Sequence, residues 1–144
     1  MSLRMIQPST DAELLDWQYV HNEIIPTDPL SLDDVRERSG RNRLTVAYDG
    51  DTLVGCSTVR PPSDETPAAT VIVRVLPAYR RQGFGEQLYT AELKHAQALS
   101  DSVETIVLET NQDGLRFALQ HGFVEFERYL LDGDTIPYIG LRLS

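Results

Sequence analysis

The sequence predicts a mixed α+β fold, in which one sheet carries helices on both faces. Three observations support it. A strong hairpin signal lies at residues 44–59. Beyond it, apolar strands alternate with segments of helical periodicity. The 144 residues contain no internal repeat and suffice for one hydrophobic core, so we expect a single domain over residues 1–144.

The first segment predicts a short strand over residues 3–7 and then a helix over 10–25. Thr10 and Glu13 have the spacing of a capping box, in which each side chain accepts a hydrogen bond from the backbone of the other residue. Several large side chains recur on one face of this helix, namely Leu14, Trp17, His21 and Ile24. We expect that face to pack against the sheet.

A second helix and a hairpin follow. Prolines end the first helix, and a serine cap predicts a short second helix over residues 31–39. Apolar alternation on both sides of Asp49-Gly50 predicts the hairpin over 44–59. The proline-rich and acidic segment 60–67 then predicts an exposed loop.

The second half alternates strands with helices and closes on two strands. The predicted elements are a strand over 68–76, a helix over 83–99, a strand over 104–109, a helix over 111–121, and strands over 123–131 and 136–143. Gly122 stands where a left-handed residue commonly ends a helix. The predicted order is therefore strand, two helices, three strands, helix, strand, helix and two strands.

Composition excludes several classes of function. A formal net charge of -9 argues against a nucleic-acid partner, and no apolar run approaches the length of a membrane span. The N-terminus lacks the apolar stretch of a signal peptide, so we expect a cytoplasmic location. The single cysteine, Cys56, is expected to be a buried thiol. No metal is expected, because the histidines lie on separate helices without ligand spacing: His21, His95 and His121.

The most informative segment is Arg80-x-x-Gly83-x-Gly85, which joins the apolar strand to the following helix. Glycines at such a turn allow backbone N–H groups to face an anion, and the new helix adds its unpaired donors and its dipole. The spacing matches neither Gly-x-Gly-x-x-Gly nor a Walker loop. The segment therefore predicts a pyrophosphate site, with a plain strand–helix connection as the alternative.

This segment resembles the acyl-CoA-binding motif of the GCN5-related N-acetyltransferases (GNAT family). The resemblance implies a mostly antiparallel, twisted sheet of about seven strands with four helices. It also implies that Val73 and Val75 pair with the pantetheine arm of CoA through their backbone. The residues implied to surround the pyrophosphate are Arg80, Arg81, Gln82, Gly83, Phe84 and Gly85.

A second match is Asn111-x-x-Gly114-x-x-Phe117, followed by Gly122-Phe123. It is similar to the family's Asn-x-x-Ala helix that ends in Gly-Phe. By this resemblance Asn111 would bond the pantetheine amides and Phe117 would pack beside the arm. The alternatives are an asparagine helix cap and a core phenylalanine.

Two positions depart from the family pattern. Many relatives have a tyrosine where this chain has Ala118, and others place a glutamate in the strand whose start here, 68–71, contains no carboxylate. Glu109, at a strand end, is the first candidate for the base that deprotonates the amine, with a surface carboxylate as the alternative. Tyr129 is a weaker candidate for the acid.

The predicted function is transfer of an acetyl or other acyl group from acetyl-CoA to a primary amine of a small molecule or peptide, by direct attack in a ternary complex. Loops 26–31 and 60–67 would line the acceptor cleft. The alternatives are a catalytically degenerate acyl-CoA-binding or sensing module, and a nucleotide-binding or purely structural domain. A homodimer through the last strands is implied by the resemblance alone.

Overall fold

The structure, a computed structural model, describes residues 3–143, which form seven strands and four helices. The strands are β1 (Arg4–Ile6), β2 (Arg43–Asp49), β3 (Thr52–Arg60), β4 (Ala69–Val75), β5 (Val103–Leu108), β6 (Phe123–Tyr129) and β7 (Tyr138–Leu143). The helices are α1 (Asp11–Ile24), α2 (Leu32–Ser39), α3 (Phe84–Leu99) and α4 (Gln112–Gln120). A 3-10 turn, Pro77–Tyr79, lies between β4 and α3.

The strands form one sheet in the order β1-β2-β3-β4-β5-β7-β6. All neighbouring strands are antiparallel except β4 and β5, which are parallel. One apolar layer packs α1 and α2 against the sheet around Trp17 and Val35, and a second packs α3 and α4 around Tyr89 and Ala118 on the other face. The predicted fold class, a mixed and mostly antiparallel sheet with helices on both faces, is confirmed.

The local signals for α1 correspond to what the structure contains. Thr10 accepts from the Glu13 backbone and Glu13 accepts from the Thr10 backbone, so both hydrogen bonds of the capping box form. The predicted inner face of α1 is fully or almost fully buried at Leu14, Trp17, His21 and Ile24. The Cys56 thiol is also buried, and burial raises its pKa to about 11.

The closing strands are shorter than the sequence predicts. The strand expected over 123–131 ends at Tyr129, and the one expected from residue 136 begins at Tyr138. Between them the chain turns at Gly133, whose φ of 87° lies in the left-handed region. The turn therefore takes up residues that apolar patterning assigned to strands.

The sheet separates between β4 and β5. These strands are in register only at Ala69 with Val103 and at Thr70 with Glu104. Beyond that point β4 stays paired with β3, and β5 stays paired with β7. The carboxyl halves of the two parallel strands therefore diverge and leave an opening in the sheet.

Within residues 3–143, none of the helices has both the length and the apolar character needed to cross a membrane. The same residues contain no group of three or more His, Cys, Asp or Glu side chains placed to hold a metal ion.

Candidate active site

A cavity of about 660 Å³ lies in the opening between β4 and β5. Its walls come from both strands, from the turn and first residues of α3, and from α4. It passes through the plane of the sheet, because Ile24 and Ile25 at the end of α1 line it as well. Eight of the ten residues predicted to bind CoA line it: Val73, Val75, Arg80, Arg81, Gly83, Gly85, Asn111 and Phe117.

The free edge of β4 faces this cavity. The Ala69 N–H donates toward β5, to the carbonyl that precedes that strand, at 2.9 Å, whereas the Leu76 N–H donates to a β3 carbonyl at 2.8 Å. Successive residues of an extended strand direct their peptide groups to opposite sides. Val73 and Val75 therefore direct theirs as Ala69 does, into the opening, where no β5 residue is in register with them. This edge can accept an additional extended chain.

The N-terminus of α3 is open to an anion. Gly83 is its N-cap residue, with φ 84°, and no side chain bonds the first-turn N–H groups. The other three helices each have a side-chain cap, from Thr10, Ser31 and Asn111. The unpaired donors and positive dipole of α3 thus lie beside the cavity. Arg81 also has a positive φ, 65°, which is uncommon for a residue with a side chain.

Gly85, in the first turn of α3, has no side chain and so leaves space in the cavity beside the helix N-terminus. A Cβ built there would lie 3.5 Å from Cε2 of Phe117 and 3.6 Å from Cγ2 of Val75, which are ordinary van der Waals contacts. The protein alone therefore tolerates a small side chain at this position. Any larger one would occupy the cavity, since Gly85 lines it. A cradle that a side chain would fill, beside unpaired helix donors, fits a pyrophosphate.

Arg80, in the turn before α3, contacts both β4 and α4, which form two walls of the cavity. Its Nε donates to the Val75 carbonyl at 2.9 Å, and its NH1 lies 3.0 Å from Oδ2 of Asp113 at the start of α4. Asp113 also pairs with Arg116 at 3.2 Å. The hydrogen bond from Arg80 lowers the pKa of Asp113. Arg80 thus shapes the site, while Arg81 and Arg116 place positive charge along its lining.

The start of α4 forms the opposite wall. Oδ1 of Asn111 accepts from the Gly114 N–H at 3.1 Å, so the asparagine caps α4. Among residues 3–143, its Nδ2 has no hydrogen-bond partner, and Asn111 lines the cavity. The Phe117 ring stacks on His121, with centroids 4.0 Å apart, and lines the cavity. Both residues meet the geometric requirement for their predicted roles, which stay predictions.

Four predicted residues lie outside the cavity lining. Gln82 is exposed, and the Phe84 side chain is 2% exposed in the core, so only its backbone N–H can serve an anion. Oε2 of Glu109 accepts from Arg128 at 2.8 Å. Tyr129 is half-buried, and burial raises its pKa. The catalytic roles of Glu109 and Tyr129 stay predictions.

Two lining residues were not identified from the sequence. Tyr89, one turn after Gly85 on α3, is the only tyrosine among residues 3–143 that lines the cavity, and burial raises the pKa of its hydroxyl. Its helical spacing from Gly85 was a usable signal. Arg74 also lines the cavity and is only 7% exposed. A single arginine inside an apolar strand was the corresponding signal.

Solved structures of acetyltransferases match this chain along its whole length. A candidate phosphinothricin N-acetyltransferase is 22% identical, with a TM-score of 0.79 and coverage of 99% of this chain and 98% of that one. A candidate acetyltransferase from Salmonella typhimurium, yncA, with its cofactor acetyl-CoA, is 13% identical, with a TM-score of 0.76 and coverage of 98% and 92%. Arabidopsis thaliana NAA60 with a bisubstrate analogue is 16% identical, with a TM-score of 0.75 and coverage of 98% and 97%. At these identities the likeness establishes an acetyltransferase fold.

The family model described as the acetyltransferase (GNAT) family matches residues 10–123. Because the match covers most of the sequence, this chain belongs to the GNAT acetyltransferase family. The resemblance inferred from the two sequence motifs is thereby confirmed. A search of curated proteins found no significant match.

Proposed function

We propose that this protein is a one-domain N-acetyltransferase that transfers the acetyl group of acetyl-CoA directly to a primary amine. The observation that supports this most is the α3 N-terminus. It alone among the four helices has no side-chain cap, and it borders a cavity that separates two parallel strands. A CoA pyrophosphate supplies the acceptors that these N–H groups lack.

The described residues fit the remainder of CoA. Val73 and Val75 offer a strand edge to the pantetheine amides, and Nδ2 of Asn111 offers a donor from the opposite wall. Bound acetyl-CoA supplies a thioester whose acyl carbon forms a bond to the amine nitrogen as the C–S bond breaks. The amine must be neutral to attack, it loses one proton, and the departing CoA sulfur gains one.

The reaction therefore needs a base that accepts the proton of the amine and an acid that donates a proton to the sulfur, supplied by the chain or by water. We propose Tyr89 as the donor to the sulfur, because this tyrosine lines the cavity and a tyrosine hydroxyl, whose pKa burial raises here, carries its proton at neutral pH. Tyr129 is the second candidate. Glu109 remains the candidate base at the end of β5, although it is ion-paired with Arg128. Water in the cavity would complete either path.

The second candidate function is a binding or sensing module that does not catalyse transfer. Ala118 favours it, because this buried alanine lines the cavity at the position where many relatives have a tyrosine. Titration calorimetry with acetyl-CoA and thiol detection with a panel of primary amines distinguish the two functions. An enzyme binds acetyl-CoA and releases CoA with at least one amine. Binding without thiol release from any amine would refute catalysis, and absence of binding would refute both functions.

We also propose a homodimer through the last strands. β6 is an edge strand of the sheet, and large apolar side chains are exposed on it and just beyond it: Val124, Phe126, Leu130 and Leu131. Light scattering after size-exclusion chromatography would give about 32 kDa for a dimer of this 16.2 kDa chain and contradict the proposal at the monomer mass. The cytoplasmic location stays a prediction.

A further inference from the structure

Arg74 is a buried cation without a charge partner. Its side chain lies on the α1 side of β4, with the guanidinium carbon 5.6 Å from the centroid of the Trp17 ring. NH1 has only distant partners, Oγ1 of Thr58 at 3.5 Å and Sγ of Cys56 at 3.9 Å. Nε is buried and has no hydrogen-bond partner. A guanidinium with unused donors is thus placed against the cavity.

Two more arginines act on the same region. Arg60 ends β3, where it is in register with Thr70, and Arg38 lies on α2. Burial and the nearby charges of Arg38 and Arg74 lower the pKa of Arg60. Among residues 3–143, none of these three arginines forms an ion pair. Of the other nine arginines in the same residues, Arg4 and Arg81 also have no ion pair, whereas seven form one: Arg36, Arg41, Arg43, Arg80, Arg116, Arg128 and Arg142.

The phosphates of CoA do not explain these charges. The proposed pyrophosphate site is the N-terminus of α3, which packs on the opposite face of the sheet. Arg74 faces Trp17 of α1, and the cavity reaches it through the opening between β4 and β5. An acceptor that enters from the α1 face therefore meets Arg74 on the face of the sheet opposite the phosphates, whereas Arg60 and Arg38 lie outside the cavity lining.

We propose that the acceptor amine carries an anionic group, such as the carboxylate or phosphonate of an amino acid, and that Arg74 binds this group, while Arg60 and Arg38 add positive potential near it. This inference rests on the proposed function. Guanidinium groups bind carboxylate and phosphonate oxygens through two parallel hydrogen bonds. Such an anion accepts hydrogen bonds from the guanidinium of Arg74 and compensates a positive charge that the protein leaves unpaired. The anion also fixes the position of the amine relative to the thioester.

Matched pairs of acceptors test the substrate class. The probes are the L-amino acids and 2-aminoethylphosphonate, each compared with its uncharged counterpart, an amino acid amide or ethanolamine, in a thiol-release assay with acetyl-CoA. We expect at least one anionic amine to exceed its counterpart in kcat/KM by about 100-fold, because an unpaired buried donor penalises the neutral analogue. The carboxylate and phosphonate probes also reveal which anion is preferred. Equal use of both members of every pair would overturn the proposal.

Arg74→Met tests the residue itself. Methionine has a similar length and no charge, so the variant should fold, with a melting temperature equal to or above that of the wild type. We expect its KM for the anionic amine to rise about 100-fold while its Kd for acetyl-CoA stays within twofold. Arg4→Met, on the remote edge strand β1, removes the same charge and should change neither constant. Arg60→Met removes a charge near Arg74 and not a contact with the ligand, so it should raise the same KM by a smaller factor, and it keeps the proposal testable if Arg74→Met does not fold.

The outcomes separate this inference from the proposed function. An enzyme that binds acetyl-CoA and acetylates neutral amines best refutes the anionic acceptor and leaves the acetyltransferase intact. An unchanged KM in both arginine variants also refutes it. If the wild type binds acetyl-CoA but no anionic amine releases CoA, the inference is wrong. If acetyl-CoA itself does not bind, the proposed function is wrong and this inference falls with it.

Discussion

Gly85→Glu tests the position of the CoA pyrophosphate most directly. The new side chain begins at a Cβ 3.5 Å from the Phe117 ring and 3.6 Å from Val75, so the protein itself raises no clash with the first atom. The remainder of the side chain must enter the cavity or turn into solvent. In either position it adds a negative charge at the helix end that should receive the phosphates.

The magnitude follows from Coulomb's law. Two unit charges about 5 Å apart interact by about 3 kcal/mol at an effective dielectric constant of about 20. Solvent around this half-buried position reduces the repulsion, so we expect a loss of affinity for acetyl-CoA of about 30- to 100-fold, or about 2 to 3 kcal/mol.

Calorimetry on three variants measures this effect. Gly85→Ala separates volume from charge, and it should leave stability unchanged or improved because alanine is a better helix former than glycine. Gln97→Glu adds the same charge at an exposed position farther along α3 and should bind acetyl-CoA like the wild type. If folded Gly85→Glu binds acetyl-CoA within threefold of the wild type, the pyrophosphate does not lie at this turn.

Three further predictions concern stability and proton transfer. Gly55→Ala should destabilise the protein by about 1 to 3 kcal/mol in urea unfolding, because the added Cβ would lie 2.5 Å from the Arg74 carbonyl oxygen; an unchanged midpoint would contradict this packing. Tyr89→Phe should lower kcat about 100-fold with little change in the Kd for acetyl-CoA, and a loss confined to Tyr129→Phe would instead assign the acid to Tyr129. Burial, aided by the charges of Arg74 and its neighbours, lowers the pKa of His21 from 6.5 to about 3, so the unfolded chain binds the extra proton and stability falls as pH drops below 6.5. The loss should reach about 2 kcal/mol between pH 6.5 and 5, and His21→Gln should remove that part of the slope, whereas an equal slope in both proteins would refute a neutral, buried His21.

The helices, the strands and the glycine turn before α3 could be predicted from the sequence, because each depends on residues that are close together along the chain. The capping box at Thr10 and the left-handed Gly83 follow from side-chain chemistry and backbone freedom over a few positions. Phe84 was expected to serve the cradle through its backbone N–H and to belong to the apolar face of the helix, and its side chain is buried in the core. The periodicity of the apolar residues was sufficient to predict this orientation.

Distant contacts explain the other differences. Glu109 directly follows Leu108, the last residue of β5, so the strand ends one residue before its predicted end. The Glu109 carboxylate pairs with Arg128 because β6 lies beyond β7 on that side of the sheet. Strand order is not determined by the order of the elements along the chain. Arg74 likewise becomes a candidate ligand-binding residue only because β4 and β5 separate beside it and because no carboxylate of α1 or α2 forms an ion pair with it. Neither condition can be derived from the sequence around residue 74.

A buried charge on one face of the sheet has an ion-pair partner, and a buried charge on the other face has none within residues 3–143. This contrast favours a ligand as the partner of Arg74. On the α3 face, Glu92 is 1% exposed and has an ion pair with Arg43, whose Nε lies 3.4 Å away, together with hydrogen bonds from Ser57 Oγ at 2.9 Å and from Thr45 Oγ1 at 3.4 Å. This chain can therefore supply partners for a buried charge with a structural role. On the α1 face, none of the described residues forms an ion pair with Arg74, whose partners are two long hydrogen bonds and the Trp17 ring. An uncompensated charge lowers the stability of the free protein, and a bound anion offsets that cost only while the acceptor occupies the site.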